Sequence, residues 1–82
     1  MTMAAQTYTR KYNEYYQRTE YYDAHGKMVG YSKVNPYYNR TEYYDANGRL
    51  QRTDKYNDYR DCTETRDASG KLESTRRNND YY

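Results

Sequence analysis

Two turn signals recur along this chain at a fixed interval, and they decide where the backbone can run straight. The first is Asp-Ala-X-Gly, at Asp23–Gly26, Asp45–Gly48 and Asp67–Gly70, spaced 22 residues apart. An aspartate heading a turn accepts hydrogen bonds from backbone groups two residues on. Glycine in fourth place takes a positive φ without steric cost. Together they suit a type I turn followed by a glycine bulge, a three-residue hairpin loop. The second signal is Asn followed by Glu, Pro or Asp, at Asn13-Glu14, Asn35-Pro36, Asn57-Asp58 and Asn79-Asp80. That pair favours a type I turn. Pro36 is the single proline, and it falls where no sheet hydrogen bond is lost.

In blocks, the chain reads as a half unit (1–17) and units 18–39, 40–61 and 62–82, one tandem-repeat domain. Two turns per unit leave segments of ordinary strand length, rich in Tyr and Thr, both strand formers. Strands are expected near 6–12, 15–22, 27–34, 37–44, 49–56, 59–66 and 71–78. Consecutive strands joined by short turns pair antiparallel. The expected fold is all-β: an antiparallel β-meander of about seven strands, a largely single-layer twisted sheet. A helix is excluded because Asp-Ala-X-Gly would break it in every unit and no apolar stripe recurs at helical spacing. Equivalent residues of successive units face the same side only if both turns preserve the alternation of side chains or both reverse it.

Such a sheet has little oil to bury. Phe, Trp and Ile are missing, and the larger aliphatics beyond the first residues are Met28, Val29, Val34, Leu50 and Leu72. Fifteen tyrosines must supply most apolar contact area, and rings packing on cross-strand neighbours are the expected source of cohesion. Self-association, a partner or an added strand would help a chain this poor in aliphatics. Disorder is the rival reading, but a net charge of +2 and an aromatic content of 18% do not fit it. Met1–Gln6 lacks the basic start and apolar run of a secretion signal, and no segment reaches transmembrane length, so a cytoplasmic location is expected. A lone cysteine gives no sign of an oxidising compartment. The sequon Asn39-Arg40-Thr41 carries no weight without a secretion signal.

The stretch Tyr43-Tyr44-Asp45-Ala46-Asn47-Gly48-Arg49-Leu50 resembles the YD repeat of Rhs and teneurin-type proteins. It recurs at Tyr22-Asp23-Ala24-His25-Gly26-Lys27-Met28, and loses its tyrosine at Arg66-Asp67-Ala68-Ser69-Gly70-Lys71-Leu72. The resemblance implies a hairpin meander. In that family the meanders wind into shells around a cargo. Three units are too few to enclose anything, so the shell role is not expected here.

No catalytic, metal or cofactor site is expected. His25 occupies the turn place of Asn47 and Ser69, and Cys62 the place of Arg18 and Arg40, with no base recurring beside it. Nucleic-acid binding by Tyr stacking and Arg or Lys phosphate contacts is the alternative function. Acids interleave with bases throughout, as in Arg18-Thr19-Glu20, which argues against it. Tyr and Arg are enriched at interface hot spots. The expected function is therefore a non-enzymatic protein-binding or self-assembling module. One form of it is a small phage or mobile-element inhibitor that occludes a partner protein. The candidate contact residues are Tyr16, Arg18 and Tyr22 with their repeat equivalents Tyr38, Arg40 and Tyr44.

Overall fold

The computed structural model describes residues 8–77. Those residues form seven strands in chain order: β1 Thr9–Asn13, β2 Arg18–Tyr22, β3 Met28–Asn35, β4 Arg40–Asp45, β5 Leu50–Asn57, β6 Cys62–Asp67 and β7 Leu72–Arg77. Each pairs antiparallel with its sequence neighbour, giving one open sheet with β1 and β7 at its edges. Extents of 41 × 40 × 24 Å exceed the depth of a flat single layer, so the sheet is twisted. The all-β meander read from the turns is the observed fold.

The Asp-Ala-X-Gly corners fold as expected. Gly26 N–H donates to the Asp23 carbonyl (3.0 Å), and Asp23 N–H donates to the Lys27 carbonyl (2.9 Å). Asp23 Oδ1 accepts from His25 N–H (2.9 Å) and Lys27 N–H (3.0 Å). Gly26, Gly48 and Gly70 take φ of 81°, 87° and 93°, which a residue bearing a Cβ rarely adopts.

The Asn corners are longer than expected. Asn13 pairs with Arg18 and Asn35 with Arg40, so four residues form each loop, and strands expected from residues 15, 37 and 59 begin at Arg18, Arg40 and Cys62. The asparagine side chain causes the delay. Asn35 Oδ1 accepts from the backbone N–H of both Tyr37 (3.0 Å) and Tyr38 (3.2 Å), diverting them from any ladder. Asn57 does the same to Tyr59 and Arg60, and Asn13 binds Tyr16. Gln17, Asn39 and Asp61 then close the loops at φ of 53°, 55° and 53°. The outer parts of the first and last expected strands, and the Asn79 corner, lie outside the described residues.

Bulges keep the units in phase. A four-residue loop exchanges odd and even positions between the faces, whereas a three-residue loop alone does not. With one of each per unit, Glu20 and Glu42 would face opposite sides. One extra residue on β3, β5 and β7 corrects this. Tyr22 pairs with Met28 but Tyr21 with Gly30, leaving Val29 unopposed. Gln51 and Glu73 stand in the same place. Both turns therefore reverse the alternation, and equivalent residues share a face.

Gly30, buried just after the first bulge, lies against its neighbour's backbone. An added Cβ there would sit 2.5 Å from the Tyr44 carbonyl oxygen, an atom that cannot swing aside. Gly30→Ala is expected to destabilise the sheet by about 1–3 kcal/mol, measured by urea denaturation. A variant matching the parent chain would show that β3 and β4 separate freely at this point.

Candidate functional site

The buried side chains are not the tyrosines. Glu20 (6% exposed), Glu42 (9%), Ser32, Thr53 and Cys62 are the buried side chains among the described residues. Tyr21, Tyr22, Tyr31, Tyr43 and Tyr44 are half-buried, and the other eight tyrosines of the described residues are exposed. The rings pack around a polar centre instead of forming a phenolic core.

Alternate residues of one strand share a face, so Arg18, Glu20 and Tyr22 stand in line along β2. Tyr22 donates its hydroxyl to Glu20 Oε1 (2.6 Å), Arg18 Nε donates to Oε2 (2.8 Å), and Asn13 Nδ2 reaches the same oxygen from the corner (3.1 Å). The second unit repeats the cluster on Glu42, with Tyr44 at 2.8 Å, Arg40 at 2.9 Å and Asn35 at 3.1 Å. In the third unit Glu64 keeps Asn57 (3.2 Å), but Cys62 replaces the arginine and Arg66, 3.7 Å away, replaces the tyrosine. Each asparagine joins corner to sheet, since its amide oxygen holds the loop while its amide nitrogen holds the carboxylate. Aspartate could do only the first.

Ionisation follows from these contacts. The hydrogen bonds from Tyr22 and then Arg18 hold the Glu20 carboxyl below its ordinary value. Burial pulls Glu42 upward, but donors Tyr44, Asn35 and Arg40 outweigh it and its value is also lowered. Tyr22 is raised because its proton is held on Glu20, and Tyr44 by burial and by Glu42.

All six sequence-predicted contact residues fall on these two clusters, three to each. Arg18, Tyr22, Arg40 and Tyr44 are engaged with the glutamates, and the Arg18 guanidinium lies between the rings of Tyr16 (4.6 Å) and Tyr31 (4.2 Å). Arg40 lies over Tyr38 (4.9 Å), and Tyr31 stacks on Tyr44 (5.1 Å). Tyr16 and Tyr38 stay half open, at 54% and 53%, in the Asn corners.

Those corners hold the residues that sequence reasoning missed. Tyr15 and Tyr37 are 86% exposed and Tyr59 97%. Tyr15 meets Tyr16 edge-to-face at 4.9 Å and 88°, and Tyr37 meets Tyr38 at 4.9 Å and 86°. The near-identical geometry shows one corner conformation repeated. A readable signal existed: tyrosine falls two residues after asparagine at all three corners.

On the opposite face, the Tyr21 hydroxyl pairs with Ser32 Oγ (2.9 Å) and Arg52 stacks on Tyr43 (4.1 Å). A shallow depression of about 640 Å³ around Gly30 is lined from both faces, by Tyr21 and Tyr43 of this one and by Tyr31 and Tyr44 of the other. His25 is an exposed turn residue and Cys62 a buried free thiol. Among the described residues no cluster of His, Cys, Asp or Glu could hold a metal ion, and no helix is long and apolar enough to cross a membrane.

Compared with known protein families, with characterised proteins and with solved structures, the chain matches none. The likeness of Tyr43–Leu50 to the YD repeat thus rests on the residues of the Asp-Ala-X-Gly hairpin.

Two outcomes test the carboxylate clusters. Asn35→Asp removes a donor and sets a second carboxylate beside Glu42. It should cost about 1–3 kcal/mol at neutral pH, with the deficit shrinking in acid as the pair takes up a proton. A carboxyl with a lower pKa folded than unfolded stabilises the fold fully above its unfolded value. Stability should therefore hold above the ordinary glutamate value of 4.5 and fall as pH drops through the lower folded value. The raised phenols act oppositely: their contribution is complete below 10.0 and lost as pH climbs past it. Thermal unfolding across pH should show both limbs, and Glu20→Gln with Glu42→Gln should flatten the acid one.

Proposed function

We propose that this chain is a non-catalytic protein-binding module whose contact surface is the row of tyrosine corners along one end of the sheet. The observation that carries the reading is the exposure of Tyr15, Tyr37 and Tyr59 on ordered, repeated loops. Their hydroxyls have no hydrogen-bond partner among the described residues, whereas no buried side-chain polar atom there lacks one. Tyrosine supplies large amphipathic contact area with few rotors to freeze. Loops already fixed by asparagine lose little further entropy on binding.

Two features favour protein over nucleic acid. Arg18 and Arg40, which follow the first two corners, are bound to Glu20 and Glu42, which leaves Arg60 as the one arginine within a corner. The corners also carry acids: Glu14 precedes Tyr15, and Asp58 and Asp61 flank Tyr59-Arg60. A phosphate backbone approaching this end meets carboxylates beside the rings.

Cross-linking capture from source cells, using the parent chain and the triple variant Tyr15→Ser, Tyr37→Ser, Tyr59→Ser, tests this. The corners lie outside the strands, so the variant should keep its β-sheet circular dichroism and bind at least about tenfold more weakly. Undiminished capture by the variant would remove the corners as the site. Steeply salt-dependent DNA or RNA binding would favour the nucleic-acid reading instead.

A further inference from the structure

We propose that the tyrosine corners receive a proline-rich peptide segment in the polyproline II conformation, one turn of the peptide per corner. This rests on the protein-binding reading above and names the class of partner. The three Asn corners follow β1, β3 and β5, so they lie along one end of the sheet with two strand positions between successive corners. Strands are about 4.8 Å apart, so successive corners recur about every 9.6 Å along the sheet's hydrogen-bonding direction. A polyproline II helix has three residues per turn and rises about 3.1 Å per residue, so one side recurs every 9.3 Å or so. An extended strand repeats a side about every 6.7 Å and falls out of step at the first interval. A straight α-helix returns to nearly the same face after about 10.5 Å and is misplaced by about 2 Å at the third corner.

The chemistry agrees with the spacing. Tyr15 and Tyr37 are each fixed by the edge of the next ring, and Tyr16 and Tyr38 are fixed by Arg18 and Arg40, so the outer rings stand as rigid walls. Proline rings pack against aromatic faces, and a polyproline II segment arrives with little backbone entropy left to lose. Its carbonyls make no internal hydrogen bonds, and the free phenols of Tyr15, Tyr37 and Tyr59 are donors that can reach them. Glu14 beside Tyr15, and Asp58 and Asp61 set against the single Arg60 beside Tyr59, leave the row acidic on balance, which suits a peptide with basic residues at its ends.

The test is a titration of the isotope-labelled chain, followed by NMR, with a peptide of nine prolines flanked by arginines. A Gly/Ser peptide of the same length and ends, and cellohexaose, serve as comparisons. The expected result is a saturable shift confined to the corners with the proline peptide alone. The triple Tyr→Ser variant should lose at least about tenfold in affinity, and Tyr37→Ser, at the middle corner, should cost more than Tyr15→Ser or Tyr59→Ser. Tyr37→Phe, which keeps the ring and removes the donor, should fall between parent and Tyr37→Ser. No saturable shift, equal binding of the Gly/Ser peptide, or binding of cellohexaose in its place would overturn the proposal. Should corner-dependent protein capture persist while the proline peptide fails, this ligand class is wrong and the protein-binding reading stands.

Discussion

A carboxylate covered by its neighbours must be hydrogen-bonded or give up its charge, and the architecture turns on that requirement at Glu20 and Glu42. Covering a charge is unfavourable unless partners replace the lost water. Here three donors from two places do so: an arginine and a tyrosine on the glutamate's own strand, and an asparagine from the preceding corner. The contacts are mutually dependent. If the corner loosens, the carboxylate loses a donor; if the strand slips by one residue, glutamate, arginine and tyrosine turn together to the other face and leave the asparagine behind. In a chain poor in aliphatics, these clusters set register more sharply than apolar packing can.

The meander was legible because both turn signals are local. Asp-Ala-X-Gly contains its own hydrogen-bond acceptor and its own positive-φ residue, so four residues suffice to place a hairpin. The carboxylate clusters were not legible for the opposite reason. Along the sequence, Arg18-Thr19-Glu20 looks like alternating surface charge, and the Asn13 contribution enters from seven residues away. It reaches Glu20 only because the corner is four residues long. That length is set by Asn side-chain hydrogen bonds to the backbone and by left-handed φ at Gln17, Asn39 and Asp61, none of them glycine. The bulges at Val29, Gln51 and Glu73 are equally hidden, because three unlike residues share a geometric role.

The third unit shows what happens when the cluster erodes. Cys62 fills the arginine position and is buried, but it carries no charge to offer Glu64, and Arg66 makes only a longer contact. The strands still pair in the same register with the same bulge. The turns and the remaining Asn57–Glu64 contact therefore suffice for the register in this unit. The full cluster is kept in the two units whose corners carry paired tyrosines.

That coincidence connects stability to surface. Arg18 and Arg40 each serve twice, bonding a glutamate below and a tyrosine face above. Where the arginine is lost, at Cys62, the second corner tyrosine is lost too, to Arg60. A guanidinium held on a buried carboxylate is a rigid platform for an aromatic ring, and an aromatic ring so held orients the next one edge-on. The exposed rings of Tyr15 and Tyr37 thus inherit their order from the carboxylates beneath them. In a sheet only one layer thick, such order can be passed outward to a binding surface without a hydrophobic core to carry it.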